Sequence, residues 1–191
     1  MVYTAESDPL CYSGTTVLIN KADITDPDKL EQFELAMTLT RAEEDWPVGS
    51  LDYSHYCALH HHIFQDVYDW AGQPRTIRVG KGGNWFCYPE YIENEMERIF
   101  TVLADQGFLT GLSPEEFVVQ AAHILAEINA AHPFREGNGR TQLAFLMILA
   151  ENAGLSVDED KLDQDRVIEA MIESFVGNEN ALSNLITELI S

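Results

Sequence analysis

The stretch His132-Pro-Phe-Arg-Glu-Gly-Asn-Gly-Arg140 gathers, within nine residues, side chains that together could move a phosphate-bearing group. Imidazole is the side chain best poised as a general base near neutral pH, so His132 can take a proton from a hydroxyl. Glu136 is a hard oxygen ligand suited to Mg2+. Gly137, Asn138 and Gly139 open a helix, and glycines there let the backbone turn tightly and approach a ligand closely. The free N–H groups and positive dipole end of that helix form an anion site. Arg140 lies in the first turn, where a cation opposes the dipole, and a bound phosphate would give it a partner. Taken singly these residues are ordinary: a His-Pro pair before a glycine turn usually ends a helix, and a lone arginine usually sits at a surface. Their conjunction in one loop favours phosphate chemistry.

Competing motifs fit less well. Gly137-x-Gly139 lacks the third glycine of a dinucleotide fingerprint and follows a helix, not a strand. The Gly80-Lys81-Gly82-Gly83 run lacks the ending of a P-loop. His60, His61 and His62 cannot converge on one ion, because consecutive helical residues point about 100° apart. His60 shares an apolar face and reads as a core histidine.

The elements that must position the loop are mostly helical. Thr25-Asp26-Pro27 starts a helix with a cap and an N1 proline, running towards Trp46. Tyr53, Tyr56, Cys57, His60, Ile63, Phe64 and Val67 recur at helical spacing. Pro89 opens a further helix that closes near Gly107. Ser113-Pro114-Glu115-Glu116 is a strong start for the helix that leads into the loop. The helix after Gly139 is apolar all round from Leu143 to Ala150, as expected of one buried mid-domain. Two amphipathic segments, about 161–175 and 179–190, complete the chain. One place reads as β: Thr76–Val79 and Trp85–Cys87, a hairpin with its tip at 80–84. The expectation is an all-α bundle with one projecting hairpin, a single domain over 1–191 with its motif-bearing core at about 12–155 and C-terminal helices at about 156–191.

The chain has 191 residues, with 32 acidic against 11 basic and a formal net charge of −21. Such a balance argues against a nucleic-acid backbone or an anionic membrane as main partner. The longest apolar run is eight residues, far short of a membrane span. No secretory signal is visible, and three widely spaced cysteines suit a reducing cytoplasm. The charge is uneven: residues 71–140 hold 6 basic and 9 acidic residues, the flanking parts 5 and 23. Five of the eleven basic residues fall in two short windows, Arg75, Arg78 and Lys81, then Arg135 and Arg140.

The nine-residue core resembles the signature of Fic domain proteins, H-x-F-x-[D/E]-G-N-G-R-x-x-R. Tyr12–Lys21 is similar to that family's N-terminal segment, Ile63–Gln73 to the stretch before its hairpin, and Val79–Phe86 to the hairpin, or flap. The resemblance implies an all-α fold and transfer of AMP from ATP to a Tyr, Ser or Thr hydroxyl of a target protein. By position, His132 would be the base and Glu136 would bind Mg2+. Gly137, Asn138 and Gly139 would form the anion hole, Arg140 would hold the phosphate tail, and Phe134 would anchor the loop. Val79, Gly80, Lys81, Gly82, Gly83 and Asn84 would dock an extended target segment by strand addition.

The last motif position, an arginine in the family, is Leu143 here. Losing that charge-assisted contact to the nucleotide's terminal phosphate implies weakened ATP handling by roughly 1.5–3 kcal/mol. A different phosphate donor, or a degenerate module that only binds peptide, are the alternatives. The family's inhibitory pattern [S/T]-x-x-x-E-[G/N] is also absent. Each Glu followed by Gly or Asn (Glu93, Glu136, Glu151, Glu179) has Pro89, His132, Met147 or Phe175 four residues earlier. The chain thus resembles toxin-type members that rely on a separate small antitoxin.

Overall fold

A computed structural model describes residues 8–81 and 83–190. Seven α-helices form the bundle: α1 (Pro27–Ala42), α2 (Tyr53–Phe64), α3 (Ile92–Asp105), α4 (Pro114–Ala131), α5 (Asn138–Asn152), α6 (Gln164–Phe175) and α7 (Asn180–Leu189). Two-residue strands β1 (Gly80–Lys81) and β2 (Asn84–Trp85) pair antiparallel between α2 and α3.

Local chemistry accounts for the helix starts. Asp26 caps α1 through its carboxylate and Pro27 sits in the first turn. At α4, Ser113 accepts from the Glu116 N–H while Glu116 reaches back to the Ser113 N–H, a complete capping box. Several boundaries differ from the sequence reading: α2 stops at Phe64, short of Val67, and α6 starts at Gln164. Helix α1 ends at Ala42, short of Trp46; Pro47 excludes helix just before it, and Trp46 instead packs on His62 with ring centroids 5.4 Å apart. Pro89 opens a single 3-10 turn, with α3 starting at Ile92. The hairpin ladder lies at Gly80–Trp85 and Lys81–Asn84, inside what reads as the tip. Its expected arms are diverted: the Ile77 and Cys87 carbonyls accept from the Arg75 guanidinium, and the Cys87 N–H donates to Ala130 of α4.

Helix α5 touches both hydrophobic clusters. Phe145 and Leu149 join the main one, built by α2 to α7, while Ala144 joins a second formed by the N-terminal segment, α1 and the end of α2. That two-sided burial is why its sequence is apolar all round. No helix among the described residues is long and apolar enough to cross a membrane.

Candidate active site

The loop between α4 and α5 is held by backbone geometry first. His132 is the C-cap of α4 in the left-handed region, with φ 50°, and its N–H donates to the Ile128 carbonyl. Gly137 is the N-cap of α5, also left-handed at φ 80°, and no side chain caps this helix. A Cβ on Gly137 would lie 2.2 Å from a Phe64 ring carbon, so glycine is required for space as well as for φ. Between them, Phe134 is fully buried, stacked on His60 at 3.8 Å and on Tyr56 at 5.7 Å. The Asn138 amide ties the loop shut: its Oδ1 accepts from Phe134 N–H and its Nδ2 donates to Phe134 O. The Asn138 side chain therefore serves the loop and does not cap the start of its own helix.

His60 is a positioning residue under this loop. Its Nδ1 accepts from Gly72 N–H, so Nε2 carries the proton and donates to the Glu136 carbonyl. Burial pushes its pKa down to about 3. His61 and His62 turn to other carbonyls, those of Ala71 and Arg41. Among the described residues no group of three or more His, Cys, Asp or Glu is placed to hold a metal.

The His132 ring is 6% exposed and stacks flat on Phe86, 3.7 Å between centroids and 7° between planes. Burial, with smaller contributions from the Arg75 and Lys81 charges, pushes its pKa down to about 3. The imidazole is therefore neutral at pH 7 but a weak base, and a phosphate charge bound beside it would raise its affinity for a proton. Glu136 is half-buried with Oε1 accepting from Gly137 N–H. Burial, aided by repulsion from Glu34, pushes its carboxyl upward against the pull of Gly137 N–H and Arg140. A cation would relieve that repulsion, so the site fits Mg2+, which takes one or two protein carboxylates and fills its shell with phosphate and water oxygens.

Arg140 lies over the Phe64 ring at 4.5 Å and donates to Glu34 Oε1 at 2.5 Å and to Thr38 Oγ1 at 3.4 Å, both on α1. Tyr68 donates its hydroxyl proton to the other Glu34 oxygen. Glu34 thus compensates a cation sitting at the wrong end of a helix dipole. Leu143 follows one turn later on α5, part-buried against the main core. Arg135 is committed elsewhere, paired with Asp8 at 2.6 Å.

Four features of the site escape the sequence reading. Arg75, 3% exposed, donates to the carbonyls of Ile77, Cys87, Ala131 and His132, joining both arms of the hairpin to the end of α4. Glu34 is the second. The third is a cavity of about 290 Å3 beside His132, roofed by Lys81, Asn84 and Phe86 and walled by α6 through Val167, Met171 and Phe175. Gln142 of α5 also lines it and is the fourth. A signal for α6 did exist in the amphipathic segment read at about 161–175; Ile168 and Ile172 line the cavity and stay 37% and 46% exposed. Of the hairpin residues, Val79 is fully buried, Gly80 and Lys81 form β1, Gly83 turns the tip at φ 86°, and Asn84 begins β2; Gly82 lies outside the described residues.

A buried histidine, the uncapped start of a buried helix and a cavity that touches both thus lie together. The chain belongs to the Fic/DOC family, whose match covers residues 50–150. It is similar to y4lH of Sinorhizobium fredii, described as a probable protein adenylyltransferase, at 55% identity over 189 residues, covering 98% of each chain. It is also 36% identical over 187 residues to the protein adenylyltransferase VbhT of Bartonella schoenbuchensis, covering 96% of this chain and 39% of VbhT. The solved structure of the effector BepC from Bartonella tribocorum with bound AMPPNP matches with a TM-score of 0.86 at 27% identity, covering 95% of this chain and 96% of that one. The N-terminal Fic domain of a Bep effector from Bartonella quintana with bound ADP matches with a TM-score of 0.85 at 27% identity, covering 95% and 94%.

Proposed function

We propose that this chain is a protein adenylyltransferase that moves AMP from ATP to a hydroxyl side chain of a target protein. The observation that carries this reading is the pairing of a buried, neutral His132 with the uncapped N-terminus of α5. The nucleotide phosphates would lie on the amides of Asn138, Gly139 and Arg140, where the helix dipole favours negative charge. The nucleoside would enter the cavity under Phe86 and against α6. His132 takes the hydroxyl proton as the target oxygen bonds to the α-phosphorus; the bond to the bridging oxygen breaks and pyrophosphate departs with that electron pair. Glu136 would hold Mg2+, which when bound neutralises phosphate charge. Arg140 is already shared with Glu34, so a phosphate competes for it. An extended target segment would register on the hairpin through main-chain hydrogen bonds. Compatible partners are a hydroxyl-bearing protein and a separate small antitoxin-like inhibitor, with the cytoplasm as the setting.

Transfer of label from α-labelled ATP to lysate protein tests the reading. His132→Ala should reduce it by about 100-fold or more. Equal labelling by the variant, or label arriving only from the γ-position, would overturn it. Leu143 keeps alive a second reading, a nucleotide- or peptide-binding module without transfer. Restoring the charge with Leu143→Arg should raise kcat/KM for ATP by roughly 10- to 150-fold. Binding with no transfer in either chain would favour the module.

A further inference from the structure

Gln142 is 1% exposed, and neither its Oε1 nor its Nε2 has a hydrogen-bond partner. Leaving both ends of an amide buried and unpaired is costly, and folded proteins rarely tolerate it without a purpose. The side chain lines the cavity that also holds His132 and Gly139. It stands three residues beyond Gly139, about 4.5 Å further along the α5 axis from the anion site. A ligand whose phosphates sit at the helix start therefore carries its next part past this amide. Of the other polar side chains that line it, Asn129 is already satisfied, donating to the Met171 carbonyl and to Ser174, while Lys81 and Asn84 lie on the hairpin roof and His132 at the loop. The remaining walls are largely apolar, with Phe86, Val167, Ile168, Met171, Ile172 and Phe175 around the space.

Largely apolar walls with one fully buried, unpaired amide among them describe a seat for a nucleobase with a donor and an acceptor side by side. We infer that Gln142 selects adenine in the donor nucleotide. Its Oε1 accepts from the N6 amino group and its Nε2 donates to the adjacent ring nitrogen, the bidentate geometry that a glutamine amide makes with adenine. Guanine presents O6 where adenine has its amino group, which would set two acceptors against each other. This assignment rests on the cavity being the nucleoside seat of the proposed function.

The test compares ATP with purine riboside 5′-triphosphate, which lacks only the 6-amino group, on the full chain with Mg2+. Both calorimetric binding and transfer to protein are read. The unaltered chain should favour ATP by about 10- to 100-fold. Gln142→Met, similar in shape and without the amide, should bring that preference to within about 2-fold, with the loss for ATP falling on KM and kcat preserved. Failure of ATP itself to bind overturns the nucleoside seat and the inference together. Tight ATP binding with equal use of the two triphosphates overturns the inference alone. So does a Gln142→Met chain that keeps the preference, or one that loses discrimination against 2′-deoxy-ATP instead. Should Gln142→Met fail to fold, Gln142→Glu serves instead: it keeps the acceptor and loses the donor, so it should lower the preference for ATP, and an unchanged preference overturns the inference.

Discussion

The starts of α4 and α5 solve the same physical problem in opposite ways. Each helix opens with backbone N–H groups that have no partner within the helix. At α4, Ser113 and Glu116 close the end with a reciprocal capping box. At α5, a left-handed glycine leads in, no side chain caps the turn, and an arginine stands where an acid would be favoured. The first end is finished by the protein. The second is left open by the protein's side chains, and the fold places its local constraints around that open end. Asn138 bonds back to Phe134, Glu34 holds Arg140, and His60 supports Glu136 from below.

The contrast can be broken most severely at Gly137. Gly137→Ala combines a positive φ with a Cβ inside the Phe64 ring, and should cost about 4 kcal/mol or more in urea unfolding. Acid is the next largest lever. His60 and His132 take up protons near pH 6.5 when unfolded but only near pH 3 when folded, so stability falls as pH drops through that window. Between pH 7 and pH 5 each should cost about 2 kcal/mol, and His60→Gln should halve the loss in urea midpoints measured at the two pH values. Ser113→Ala, at the sealed end, should cost about 1 kcal/mol of stability and leave nucleotide transfer unchanged. Gly139→Ala gives a stability effect no larger than this, of opposite sign, and the sharpest distinction. Its added Cβ meets nothing within 4 Å, so the fold should gain up to about 1 kcal/mol from helix propensity. The same methyl enters the approach to the anion site, so transfer from ATP should fall while the melting temperature rises. A rise in both would show that no ligand closes on the α5 amides.

Much of this architecture is written in short-range signals. Asp26-Pro27 and Ser113-Pro114 mark their helix starts because a cap and a proline act within one turn. His60 is legible as core because its face repeats along α2. The phosphate loop is legible because its chemistry is packed into nine consecutive residues. What escapes are partnerships between distant parts of the chain. Glu34 meets Arg140 across 106 positions and Arg75 meets His132 across 57, and neither residue carries a local sign of its partner. The hairpin register shifts for the same reason, since Arg75 and α4 claim polar groups that a longer ladder would need. Gln142 reads as one more polar residue in a helix until the fold closes α6 over it.

Arg75 carries a mechanical consequence. One guanidinium grips the hairpin at Ile77 and Cys87 and the helix end at Ala131 and His132. A pull on the root of the hairpin cannot move those carbonyls without straining the bonds that hold the backbone of the histidine. Hairpin and histidine behave as two parts on a common rivet, and under the proposed function they would be a jaw and its tooth. Whatever aligns along the jaw is aligned with the tooth, and misalignment by even about 1 Å at such a centre costs on the order of a hundredfold in rate.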